Sequence, residues 1–159
     1  MVLTASGLRY NGSFTVNKAP DEVLNFIMDL PRAIACIPNM VNYEVLSKDR
    51  VRARFRVDLG NDVPIAELRR ITTDATIELI SQSGNEVRYR VDGRAAGSAI
   101  GVLLTIKVSG LGNGSQIDWD AVVNLGRLLQ LMGKFVNIDS LVRRISEDTI
   151  HGFIECLLR

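Results

Sequence analysis

The sequence predicts an α+β domain spanning 1–159, in which a curved antiparallel sheet of about seven strands wraps a long C-terminal helix, with two short helices after the first strand. Three observations carry this. Apolar residues recur with period two from Val41 to Leu125, interrupted only by turn residues, as in an antiparallel meander. After Gly126 the period becomes 3.6 and no proline interrupts it through Leu158. Between the first strand and the meander lies a short stretch punctuated by Pro20, Pro31 and Pro38.

In chain order, Leu8, Tyr10, Gly12, Phe14 and Val16 share one side of a half-buried strand. Ala19-Pro20-Asp21-Glu22 then opens a helix, with proline in the first turn and carboxylates at the positive end of the helix dipole. Pro31 ends that helix and starts a second one, Arg32 to Ile37, which stops before Pro38. In Arg50 to Leu59, Val51, Ala53, Phe55, Val57 and Leu59 alternate with Arg52, Arg54, Arg56 and Asp58, so one face is wet. Ile71, Thr73, Ala75, Ile77 and Leu79 point inward on the next strand, and Val87, Tyr89 and Val91 on the one after Ser83-Gly84-Asn85. Gly93, Gly97 and Gly101 read as bulges or close approaches in a curved sheet, because a strand follows them and a phosphate cradle needs a helix N-terminus. Ile100 to Val108 forms an apolar strand, and Ile117, Trp119, Ala121, Val123 and Leu125 face inward on the last. The closing helix, from Leu128 to Leu158, reaches up to about 48 Å at 1.5 Å per residue. Lys134, Asp139, Arg143, Arg144, Glu147 and Asp148 occupy its wet face.

Composition narrows the function classes. Hydrophobic residues make up 47% of 159 and charged residues 23%, which excludes a disordered chain. Lys+Arg 19 against Asp+Glu 18 leaves +1, too little to concentrate nucleic acid at the surface. Met1 to Tyr10 lacks a charged n-region followed by an apolar run, and Ser98 to Val108 is too short to span a bilayer, so a cytoplasmic protein is expected. Cys36 and Cys156, far apart and outside any metal-ligand spacing, read as free buried thiols. His151 is the lone histidine, without a triad motif around it. Asp118 and Asp120 share an outward strand face roughly 6–7 Å apart, as solvated charges. Arg52, Arg54, Arg56, Arg88 and Arg90 gather on outer faces with Asp58, Asp74, Glu78 and Asp92, which predicts an ion-pair lattice.

One helix about 10 Å across does not fill the concavity of seven strands. Small inward residues (Gly12, Ala53, Ala75, Gly93, Ala121) leave room beside bulky Phe55, Leu79, Leu104 and Trp119. The predicted cavity lining is Phe55, Ala75, Tyr89, Leu104, Trp119, Ala121, Phe135, Ile138 and Val142. Tyr10, Tyr43, Tyr89 and Thr73 are available to orient a polar group, and the elbow from Pro31 to Met40 or the loop from Gly60 to Pro64 is the expected way in.

Several motifs together carry a resemblance: Pro20-Asp21-Glu22-Val23, Met28-Asp29-Leu30-Pro31, Ala35-Cys36-Ile37-Pro38, Val57-Asp58-Leu59-Gly60 and Gly126-Arg127-Leu128-Leu129-Gln130-Leu131-Met132-Gly133. From Phe14 to about Leu158 the chain resembles the CoxG-like family of carbon monoxide dehydrogenase subunits, a branch of the SRPBCC, or START/Bet v 1-like, helix-grip superfamily. It departs at Leu24, where the family usually has tryptophan, and at Asn39, where the elbow has glycine. The resemblance implies a non-enzymatic protein that binds a lipid or isoprenoid quinone and serves a molybdenum hydroxylase of the carbon monoxide dehydrogenase type. No cofactor, metal or catalytic residue is expected, while peripheral membrane contact is compatible with the family. Two rival readings are a cyclase or dehydratase, as in sister branches, and an assembly module that docks a protein on the arginine-bearing face.

Overall fold

A computed structural model describes residues 7–59, 63–66 and 69–158. Strand β1 (Leu8–Val16) leads into helices α1 (Pro20–Met28) and α2 (Leu30–Ile34). Then come β2 (Met40–Ser47), β3 (Arg50–Asp58), β4 (Arg70–Ser83), β5 (Glu86–Ala95), β6 (Ser98–Leu111) and β7 (Gly114–Asn124). Helices α3 (Arg127–Met132) and α4 (Ile138–Leu157) close the chain. The strands form one seven-stranded antiparallel sheet in the order β1-β7-β6-β5-β4-β3-β2. The meander places β2 at one edge, and β1 pairs with the last strand to make the other.

The elbow follows from its prolines and one aspartate. Pro20 sits in the first turn of α1, ahead of Asp21 and Glu22. Asp29 ends α1 with its backbone N–H on Asn25 and Phe26 carbonyls, and its carboxylate accepts from the Arg32 N–H to cap α2. Helix α2 therefore starts at Leu30 and stops at Ile34, earlier than the predicted Arg32–Ile37. Asn39 takes the left-handed conformation, φ 66°, at the position where the CoxG-like elbow has glycine.

The expected single C-terminal helix is two helices. Gly133 donates its backbone N–H to the Leu129 carbonyl and ends α3. Asn137 then caps α4 by accepting from the Ser140 N–H at 3.0 Å. A glycine stop followed by an asparagine cap overrides an apolar periodicity that runs through both. The twenty residues of α4 span about 30 Å. Strand β5 also runs through Gly93 to Ala95, leaving the turn at Ala96-Gly97.

The interior is packed at its two ends. At one, Val23, Phe26, Ile27, Leu30 and Ile34 of the elbow meet Val51, Val87, Val108 and Ile117 of the sheet and Leu157 of α4. Phe153 stacks edge-on against Phe14 and Phe26, with ring centroids 6.1 and 5.1 Å away. At the other, Leu128 and Met132 of α3 bury with Ile71 and Ala95, against Leu125, Ile138 and Leu141. Val142, Ile145 and Ile150, in the middle of α4, belong to neither cluster. Of the whole helix only Leu157 is fully buried. Helix α4 is thus anchored at both ends and stands off the sheet between them.

The cysteines correct a sequence reading. Cys36 and Cys156 are not free thiols but a disulfide, with Cα atoms 6.0 Å apart and 120 residues between them in sequence. Linear spacing carries no information about a pairing made by the chain's return. The bond joins the end of the α1–α2 elbow to the last turn of α4. Gly152 permits the approach, because a Cβ there would lie 2.6 Å from the Cys36 carbonyl oxygen. Such a bond persists in oxidising surroundings and opens in reducing ones.

Candidate functional site

Where α4 leaves the sheet, a cleft of about 480 Å³ opens between β1 and the middle of the helix. Tyr10 and Gly12 of β1 and Trp119 of β7 form its sheet side, with Arg9, Asn11 and Ser13 at the rim. Arg143, Ser146, Glu147 and Ile150 form its helix side, a stripe at the spacing of three, four and seven that gives one face of a helix.

Each wall has a local cause. Gly12 lies opposite Trp119 in the β1–β7 register. The indole rests on that glycine, since a Cβ at residue 12 would come 2.8 Å from Trp119 Nε1. Among the described residues, Trp119 Nε1 is a buried side-chain donor without a hydrogen-bond partner. On the outer face the edge strand is riveted to β7. Arg9 pairs with Asp120 at 3.1 Å, and the Ser13 hydroxyl donates to Asp118 at 2.8 Å. That hydroxyl and Gln116 hold the Asp118 carboxyl below its ordinary range. The two aspartates are therefore structural partners of the edge strand.

Tyr10 bridges the cleft mouth. Its hydroxyl donates to Asp139 Oδ1 at 2.8 Å, joining β1 to the first turn of α4. Loss of hydration, then the hydrogen bond and charge of Asp139, push its pKa up to about 12, with Arg143 pulling weakly the other way. Tyr10 is a neutral latch at ordinary pH.

Of the nine predicted lining residues, Trp119 alone lines this cleft. Ala121, next on the same face, is buried opposite Tyr10 and Leu104. Ala75 is buried opposite Ala53 and Gly93. Phe55 and Leu104 pack on the elbow-end cluster, Ile138 packs on the α3-end cluster, and Val142 is half-buried in mid-helix. Two placements differ from expectation. Phe135 falls in the α3–α4 turn and is 40% exposed, because the helix that was to turn it inward is broken there. Tyr89 is buried, its hydroxyl donates to the Ile27 carbonyl, and burial pushes its pKa up. Its polar end is committed to holding α1.

Of the other groups expected to orient a ligand, Tyr43 is 43% exposed on the edge strand β2, and Thr73 lies half-buried between Phe55 and Ala95. Arg143, Ser146, Glu147 and Ile150 went unrecognised as lining because two of them are charged and read as wet. Their stripe spacing was the available signal. The elbow, expected to yield to a ligand, is pinned by the disulfide, whereas Gly60 to Asp62 of the alternative loop lie outside the described residues. The cleft opens instead beside β1.

On the convex face Arg54 pairs with Asp74 at 2.7 Å, Arg90 with Glu78 at 3.1 Å and Asp92 at 3.6 Å, and Arg52 with Glu44 at 4.0 Å. Exposed and screened by solvent, these pairs contribute little to stability. Arg56 and Arg88 make no ion pair among the described residues. His151 is exposed on α4. No group of His, Cys, Asp and Glu able to hold a metal ion occurs among the described residues. Among them no helix is long and apolar enough to cross a membrane.

Comparison with known proteins places this architecture. A conserved protein from Geobacillus kaustophilus superposes with a TM-score of 0.74 at 16% identity, covering 95% of both chains. Ara h 8.0201, a Bet v 1-like fold, gives 0.64 at 11% identity, covering 96% of this chain and 98% of that one. A START superfamily protein from Mycobacterium smegmatis gives 0.59 at 8% identity, covering 94% and 93%. At such identities the likeness establishes the START/Bet v 1-like helix-grip fold. No curated protein matches the sequence. The model of the CoxG family of carbon monoxide dehydrogenase subunits matches residues 12–157, nearly the whole chain. With the elbow, the meander and the C-terminal helix all inside that match, the chain belongs to the CoxG family of carbon monoxide dehydrogenase subunits.

Proposed function

We propose that this protein is a non-enzymatic carrier, acting as one 1–159 domain, that holds an apolar small molecule between the sheet and α4. The observation that carries the reading is the stand-off of α4: a helix packed against a core cluster at each end leaves a cleft of about 480 Å³ along its middle. That volume lies within the range of about 300–1,000 Å³ common to small-molecule sites. Trp119 on the sheet and Ile150 on the helix supply the apolar part of the lining, with the Tyr10 ring at the mouth. Affinity then comes from buried apolar area at about 25 cal/mol per Å².

Family membership supports a lipid or quinone-like guest and a molybdenum hydroxylase of the carbon monoxide dehydrogenase type as the partner served. Peripheral contact with a membrane would supply such a guest. Of the tyrosines that an enzymatic reading needed, Tyr89 is bonded to α1 and Tyr43 lies on an edge strand, while Tyr10 lines the cleft with its hydroxyl committed to Asp139. Native mass spectrometry of gently purified protein, followed by solvent extraction, tests the carrier. It is expected to show a co-purified apolar molecule at up to one per chain. Ligand-free protein that also takes up no added quinone or fatty acyl compound would end the proposal.

A further inference from the structure

We propose that Trp119 selects the guest, donating its indole N–H to an uncharged acceptor oxygen, such as a ketone, quinone or ether oxygen, carried at one end of the apolar molecule. The inference rests on the carrier reading above and adds a donor and a ligand class to it. A buried donor without a partner is rare in folded proteins, because it has given up water and gained nothing. Trp119 Nε1 is such a donor among the described residues, and its residue lines the cleft.

The seat beneath it is cut to keep that edge of the ring in place. Gly12 lies opposite Trp119, and any side chain there would take the space the indole occupies, with a Cβ 2.8 Å from Nε1. Charge at the mouth decides the class of acceptor. Arg9 is neutralised by Asp120 at 3.1 Å, and Asp139 accepts from the Tyr10 hydroxyl. Arg143 stands one turn before Glu147 on the same lining stripe, so the helix wall presents one charge of each sign. A mouth with no excess of positive charge gives an anion no net attraction, whereas a neutral oxygen satisfies the indole at no cost in charge.

The chain holds one tryptophan, so its emission reports this site alone. The test uses the full chain loaded with N-phenyl-1-naphthylamine, a neutral apolar probe, and displaces it with nonane, 2-nonanone or nonanoate. In the unaltered protein 2-nonanone is expected to compete about tenfold better than nonane, and in Trp119→Phe that advantage shrinks to within about twofold while the probe still binds. Trp119 emission in the unaltered protein moves to longer wavelength with 2-nonanone and stays put with nonane, a readout that stands even if the variant fails to fold. A ketone advantage that survives Trp119→Phe, or the absence of any ketone-specific emission change, overturns the donor assignment. Nonanoate outcompeting the ketone, with its lead lost in Arg143→Gln, overturns the uncharged class in favour of an anion. Failure of the probe to bind the unaltered protein is a different result, and it removes the carrier reading together with this inference.

Discussion

Opening the Cys36–Cys156 bond is expected to cost this fold about as much as its most damaging single core truncation. The bond closes a loop with a sequence separation of 120 residues. The chain-entropy relation for a loop of that length gives about 5 kcal/mol. Unfolding entropy of about 2.1 cal/mol/K per residue amounts to about 0.33 kcal/mol/K for this chain, so the loss corresponds to a fall in Tm of about 15 °C. Thermal melts by circular dichroism, with and without a phosphine reductant and for Cys36→Ser with Cys156→Ser, measure it. The same bond pins the elbow against the end of α4, so reduction is also expected to speed release of an apolar probe. Equal melting temperatures in oxidised, reduced and doubly substituted protein would refute the reasoning. A mass that does not rise by two hydrogens on reduction would show that the bond never forms.

Three further outcomes follow from the geometry. Ala121→Trp crowds Trp119, its neighbour on the same inner face, and is expected to weaken binding of a neutral apolar probe by about tenfold or more, with overpacking costing about 1–3 kcal/mol of stability; a folded variant that binds as before places the guest elsewhere. Gly152→Ala puts a Cβ 2.6 Å from a backbone oxygen that cannot rotate away. Helix propensity returns about 1 kcal/mol, so the net loss in urea unfolding is expected at about 1–2 kcal/mol, and a stabilised variant would mean that α4 does not dock there. Tyr10 ionises late, with its pKa raised from 10.0 to about 12. Because the folded state holds that proton more tightly, the latch's contribution to stability is complete below pH 10 and is lost as pH rises toward about 12. Ultraviolet titration of tyrosinate should show this late step in the unaltered protein and not in Tyr10→Phe.

The elements were legible because their causes are local. Alternation along Arg50 to Asp58 separates Val51 and Ala53, both buried, from Arg52 and Arg54, both exposed, and that pattern alone faces the strand correctly. Pro20, Asp29 and Pro31 write the elbow within a dozen residues. The break at Gly133 to Asn137 is equally local: Gly133 reads as a place where the helix can bend, but the apolar periodicity running through it masks the capping asparagine. The candidate site was legible only as a class of inward residues. Trp119 and Gly12 could be placed on the inner face, but nothing in either strand says that they meet, or that the indole nitrogen is left without a partner.

What the sequence determined by itself is therefore the run of strands and helices, the faces they bury and the family motifs they carry. Tertiary structure decided the rest: the disulfide across 120 residues, the Tyr10–Asp139 latch across 129, and the stand-off that opens the cleft. The physical reason is range. Backbone preference and hydrophobic period act over one or two turns of chain. A cleft is set by how far two distant surfaces approach, which depends on the side chains wedged at both ends of α4 rather than on those that line the space between.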